Sequence, residues 1–170
     1  MEDIIYTDVS KNLMVAFQKR NPNELFIQDF DSALLVTDET EGCLPKKTPR
    51  KKLSTPHSTS LIDLDGDCLS DLFVTITDQA TGKTYYEIYL RREREVAEET
   101  GEEFTLNETS FDKTLQGLNS FCLVAREEVP PQTNNLFSFA DVDRDAMVDL
   151  LFITKNDLSL HVYYNKLGSF

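Results

Sequence analysis

At 170 residues, with 40% hydrophobic and 10% aromatic side chains, the chain carries enough apolar surface for a packed core and too much for a disordered segment. Its formal net charge of −13 repels phosphate, which argues against nucleic acid or an anionic membrane surface as a general partner and makes cations the natural counterpart. No apolar run approaches the roughly 20 residues of a membrane span, and the acidic start "MEDIIYTDVSK" lacks the basic opening and long apolar segment of a signal peptide.

In chain order, "DIIYT", "NLMVAF", "ELFIQDF", "DLFVTIT", "YYEIYL", "NSFCLVA", "LFSFA", "DLLFIT" and "LSLHVYY" are short β-prone runs bounded by turn residues and predict strands. Between them, "QATGKT" and "TKNDLS" read as hairpin connections, because Gly82 and Asn156 tolerate the left-handed backbone of tight turns. No stretch of a dozen residues sustains an apolar helical period, so the chain is mainly β. Two charged inserts interrupt it. "PKKTPRKKLSTP" reads as an exposed connector, and "RREREVAEETGEEF", with both signs mixed, as a solvated strand end and loop. The cysteines, Cys43, Cys68 and Cys122, show no CxxC spacing and leave one over if two join, so neither a zinc site nor a disulfide framework is supported and their disulfide state stays open.

The most informative feature is a repeat. "DLDGDCLSD" (63 to 71) and "DVDRDAMVD" (141 to 149) place aspartates at positions one, three, five and nine of the same frame. Each is preceded by an apolar strand, "SLI" or "LFSFA", and followed by another, "LFVTI" or "LLFIT", then a turn and an aromatic strand. "MEDIIYT" overlays the exits of both loops, with Asp3 where Asp71 and Asp149 stand, so the chain reads as opening inside a third loop. The Asp-to-Asp spacing fits one four-stranded β-propeller blade plus long loops, and a closed ring takes about four to eight blades. The expectation is therefore a piece of a larger propeller, with open edge strands prone to self-association.

Carboxylates this close repel one another unless a cation offsets them. Ca²⁺ takes six to eight oxygen ligands. Asp63, Asp65, Asp67 and Asp71 with the main-chain carbonyl of Leu69, and Asp141, Asp143, Asp145 and Asp149 with that of Met147, would supply five or more oxygens per loop. An EF-hand is rejected, because its position twelve needs glutamate and is Val74 or Phe152 here, inside a β-prone run.

The pattern D-x-D-x-D-x-x-x-D running at once into an apolar strand resembles the calcium loop of FG-GAP repeats, the blades of integrin α-chain propellers. The likeness is specific over "PHSTSLIDLDGDCLSDLFVT" and "LFSFADVDRDAMVDLLFI" and loose elsewhere. It implies an all-β, partial β-propeller. Residues 1–45 would be the remainder of a blade, 46–56 a basic Pro-rich loop, 57–130 an FG-GAP blade with a long insert, and 131–170 the start of a further blade. It also implies Ca²⁺ as cofactor and the extracellular part of a single-pass type I membrane protein, or a secreted one, recognising other proteins at the cell surface in adhesion. A second reading is an accessory propeller of a secreted hydrolase or lectin; a third is an intracellular scaffold. The sequence departs from the family pattern at position six, where the usual glycine is Cys68 or Ala146, and at position four, where Arg144 matches Gly66. Glycine suits position six if the turn needs positive φ.

Asn107-Glu108-Thr109 is an N-glycosylation sequon, usable if the chain is secreted. His57 and His161 are assigned to turn or strand-edge packing, and no G-x-S-x-G frame surrounds a serine. The paired carboxylates repeat with the fold unit, which is a structural signature more than a catalytic one, so no enzyme is expected. The aromatic runs "TYYEIY" and "VYYN" are expected to pack between neighbouring units.

Overall fold

The computed structural model describes residues 4–18, 25–29, 35–36, 43–44, 52–55, 58–92, 120–130, 133–155 and 158–166. Its strands are β1 (Ile4–Thr7), β2 (Leu13–Gln18), β3 (Leu25–Asp29), β4 (Leu35–Val36), β5 (Lys52–Leu53), β6 (Thr59–Ile62), β7 (Asp71–Thr77), β8 (Thr84–Arg92), β9 (Ser120–Glu128), β10 (Thr133–Ala140), β11 (Asp149–Thr154) and β12 (Leu160–Tyr163). The protein is all-β, and no helix among the described residues is long and apolar enough to cross a membrane. Asp3, His57, Asn107, Asn156, residues 45–51 and 56 of the basic insert and residues 93–104 of the mixed-charge insert lie outside the described residues.

The strands form three sheets in chain order: β1-β2-β3, a central six-stranded sheet containing the meander β6-β7-β8-β9, and β10-β11-β12. Pairing is antiparallel except for β4, which runs parallel to β9 through Leu35↔Phe121 and Val36↔Cys122. The registers repeat. Ile62 faces Asp71 across the first acidic loop, as Ala140 faces Asp149 across the second.

Because side chains alternate between faces, β7 sends Leu72, Val74 and Ile76 one way and Phe73 and Thr75 the other, and all are buried. The first set joins Leu53, Tyr89, Phe121 and Leu123, with Ile5 and Leu13 of the first sheet packed against it. On the opposite face Phe73, Tyr86, Ile88 and Leu90 join Phe137, Leu150 and Phe152 of the last sheet. Phe73 lies between the sheets, 5.3 Å from the ring of Phe137 and 5.0 Å from that of Phe139. The three sheets are thus stacked face to face, which explains why "DLFVTIT" is apolar without alternation. Of the aromatic runs, Tyr86 and Tyr89 are buried between sheets as expected, whereas Tyr164 is exposed.

Buried polar groups reinforce the stack. Thr75 Oγ1 accepts from Ser54 Oγ and from the Ser58 amide, each at 2.8 Å, and Ser58 Oγ accepts the Phe137 amide at 2.8 Å, tying the central sheet to β10. The β7–β8 turn closes as read. Gly82 has φ +70°, its amide donates to the Asp78 carbonyl, and Asp78 Oδ1 accepts the Ala80 amide. In the β11–β12 turn the described left-handed residue is Leu158, φ +55°.

One question left open by the sequence is answered, and one expectation needs correction. Cys43 and Cys122 form a disulfide across 79 residues, leaving Cys68 free and exposed. Spacing alone gave no sign of the pair, because it depends on β4 pairing with β9 and on the Leu44 amide, which donates to the Leu123 carbonyl, placing residues 35–36 and 43–44 alongside β9. That stretch, assigned by sequence to the first unit, is fastened to the central sheet. The end of the basic insert is not an exposed connector either. Lys52–Leu53 pairs with β7, and Leu53 and Ser54 are buried.

Replacing both partners, Cys43→Ala with Cys122→Ala, is expected to cost about 2 to 4 kcal/mol, read as a lower urea midpoint. An unchanged midpoint would contradict a bond of this span.

Candidate metal centre

Each acidic loop bridges the first two strands of its unit, from β6 to β7 and from β10 to β11, and the two fold alike. Position one organises the turn. Asp63 Oδ1 accepts the Gly66 amide at 2.7 Å and Oδ2 the Cys68 amide at 2.9 Å. Asp141 does the same with Arg144 at 2.7 Å and Ala146 at 3.2 Å. Position five caps position seven: Asp67 Oδ1 accepts the Leu69 amide and Asp145 Oδ1 the Met147 amide, both at 2.8 Å.

Position nine behaves differently. Asp71 and Asp149 are fully buried. Asp71 Oδ2 accepts the Leu64 amide and Oδ1 the Arg91 amide, each at 2.7 Å. Asp149 Oδ2 accepts the Val142 amide at 2.8 Å and Oδ1 the Asn165 amide at 3.0 Å. One carboxylate therefore joins loop, second strand and the end of the third. Asn165, itself buried, extends the link: its Nδ2 donates to the Leu64 carbonyl at 2.6 Å, so the second unit grips the first loop across 101 residues. The loops lie side by side, since a Cβ on Gly66 would sit 3.5 Å from Met147 Sδ.

Convergence of the predicted ligands is partial and differs between loops. In the first, ligand oxygens of Asp63, Asp65 and Asp71 lie within 4.8 Å of one another, and Asp67 is not in that group. In the second the group is Asp141, Asp143 and Asp145, all exposed, without Asp149. Asp65 Oδ2 accepts from Arg92 Nη1 at 2.9 Å, whereas its Oδ1 is buried with no hydrogen-bond partner. Burial, abetted by the charges of Asp65 and Asp67 and opposed by the Arg91 and Leu64 amides, pushes the Asp71 carboxyl up to about 6. The Asp143 carboxyl is raised by desolvation first and then by Asp145. The site thus concentrates negative charge that its own hydrogen bonds do not neutralise.

Sequence reasoning missed Arg92 and Asn165. Arg92 is the last residue of β8 and Asn165 lies two residues past β12, at positions that nothing local marks. The departures it did notice prove structural, because position six is left-handed in both loops, φ +69° at Cys68 and +72° at Ala146. Position four is left-handed too, φ +79° at Gly66 and +66° at Arg144.

No protein-family model, curated protein or solved structure matches the chain. The residues themselves must carry the functional reading.

A left-handed non-glycine residue costs about 1 to 2 kcal/mol. Cys68→Gly is therefore expected to stabilise the protein by about 1 kcal/mol, and Gly66→Ala to destabilise it by a similar amount, in thermal melts. A lower melting temperature for Cys68→Gly would contradict the strained turn.

Proposed function

We propose that the chain is a calcium-stabilised segment of an FG-GAP β-propeller from a cell-surface or secreted protein, acting in protein recognition. The observation that carries the reading is Asp65 Oδ1: an anionic oxygen, buried, with no donor, beside carboxylate oxygens of Asp63 and Asp71. Arg92 pairs with Oδ2 alone, so Oδ1 is left an unsatisfied buried acceptor, which is costly, and a bound cation relieves it. The donor set fits a hard cation because it is all oxygen, with no histidine or cysteine in either group. Asp63, Asp65 and Asp71 would hold the ion in the first loop, and Asp141, Asp143 and Asp145 in the second. When bound, Ca²⁺ supplies charge neutralisation, which couples loop order to metal concentration.

The blade assignment rests on the meander β6-β7-β8-β9, on the same strand–loop–strand frame in β10-β11-β12, and on the resemblance of residues 56–75 and 136–153 to the propeller of T-cell immunomodulatory protein (linkin). That resemblance supports a role in adhesion or T-cell modulation. The Cys43–Cys122 disulfide supports an oxidising compartment, and in that setting Asn107 would be a glycosylation site. The carboxylates serve as hydrogen-bond acceptors within a repeated loop, which favours a structural role over acid–base catalysis.

Calcium at about 100 times its dissociation constant is expected to raise the melting temperature by about 5 to 10 °C over that in chelator. Asp65→Ala with Asp67→Ala should remove most of this shift. Equal melting temperatures with and without calcium for the unaltered protein would contradict the reading.

A further inference from the structure

The three converging carboxylates of the first loop are held by donors of different origin. Asp63 is held from within the loop, by the Gly66 and Cys68 amides. Asp71 is held by one loop amide, Leu64, and one from the end of β8, Arg91. Asp65 is held from outside the loop: Arg92, the residue after Arg91 and the last of β8, donates from Nη1 to its Oδ2 at 2.9 Å. Two consecutive residues of β8 thus fix two of the three carboxylates that meet.

The second loop is organised differently at this position. The Asn165 amide serves Asp149 as the Arg91 amide serves Asp71, so the residue equivalent to Arg92 is Lys166, which is exposed. Position three there is held by its own loop, with Asp143 Oδ1 accepting the Asp145 amide at 3.3 Å. The surroundings differ as well, since the Asp65 side chain is 14% exposed whereas Asp143 is exposed.

The two oxygens of an isolated aspartate are equivalent, and the guanidinium removes that equivalence. With Oδ2 engaged, Oδ1 is the oxygen left to a ligand, and it is buried with no hydrogen-bond partner. A carboxylate fixed before an ion arrives loses less freedom when the ion binds, which is why partners behind a metal ligand matter to affinity. We infer that Arg92 is a positioning residue for the cation of the first loop, acting through Asp65, a role that rests on the calcium reading. Four aspartates face one guanidinium, so negative charge remains for a divalent ion. Through its charge alone Arg92 would repel that ion. Positioning and repulsion therefore predict opposite effects of removing the side chain.

Calorimetric titration of the full chain with calcium tests the inference, in a parent carrying Asp141→Ala with Asp143→Ala so that the first loop alone is read. Arg92→Met is expected to weaken calcium binding by about 10- to 100-fold. Arg92→Lys, which keeps a charge and a donor, should restore most of the loss. In chelator the melting temperature of Arg92→Met should stay close to that of the parent, because an ion pair at a partly exposed arginine contributes little stability. If Arg92→Met fails to fold, Arg92→Gln, shorter and uncharged, takes its place with the same prediction. Calcium binding that is unchanged or tighter without Arg92 overturns the inference and leaves the calcium reading standing. An Arg92→Lys protein as weak as Arg92→Met overturns it too. A parent that binds no calcium overturns the calcium reading and this role with it.

Discussion

A buried carboxylate is among the costlier groups a fold can hold, and each acidic loop ends on one. Asp71 and Asp149 are tolerated because each turns both oxygens to main-chain N–H groups, one from its own loop and one from the third strand (Arg91) or just past it (Asn165). The geometry follows from that constraint. The loop must return to a point where position two can donate, the second strand must begin at the aspartate, and the third must pass close enough to supply the other amide. The hydrogen-bonded carboxylate therefore fixes the relative placement of three backbone segments before any side-chain packing is considered. Asn165, whose amide serves Asp149 while its side chain serves the Leu64 carbonyl, transmits that placement from one unit to the next.

With the frame held this way, the loops are free to differ elsewhere. The first has glycine at position four, a buried Leu64 at position two and Arg92 paired with Asp65. The second has arginine at position four, an exposed Val142 and an exposed trio of aspartates. Their environments explain the contrast. The first loop is roofed by the last sheet, so its carboxylates are partly desolvated and their repulsion is concentrated; the second faces water, which screens it. The same hydrogen-bond scaffold thus creates a strong demand for positive charge in one loop and a weaker one in the other.

Much of this was legible in the residues. Short β-prone runs bounded by turn residues marked every long strand, and the common frame of the acidic loops marked the order strand, loop, strand, turn, strand. The departures from glycine at Cys68 and Ala146 pointed to a left-handed position six. What could not be read depends on distance. β4 and β5 are two residues each, too short for a periodic signal. The parallel pairing of β4 and the Cys43–Cys122 bond join segments separated by most of the central sheet. Position nine looked like another ligand because an aspartate in sequence carries no mark of burial, yet in the second loop Asp149 stands outside the converging group. Arg92 and Asn165 gained their roles from neighbours that only the stacking supplies.

Residue-resolved amide hydrogen exchange tests the organising role of the buried aspartates most directly. If Asp71 and Asp149 hold their loops as described, the amides of Leu64, Arg91, Val142 and Asn165 are strongly protected. Asp71→Ala then releases Leu64 and Arg91 while the Asp78–Lys83 turn keeps its protection. Exchange of these four amides at unprotected rates in the unaltered protein, or their full protection in Asp71→Ala, would contradict the account.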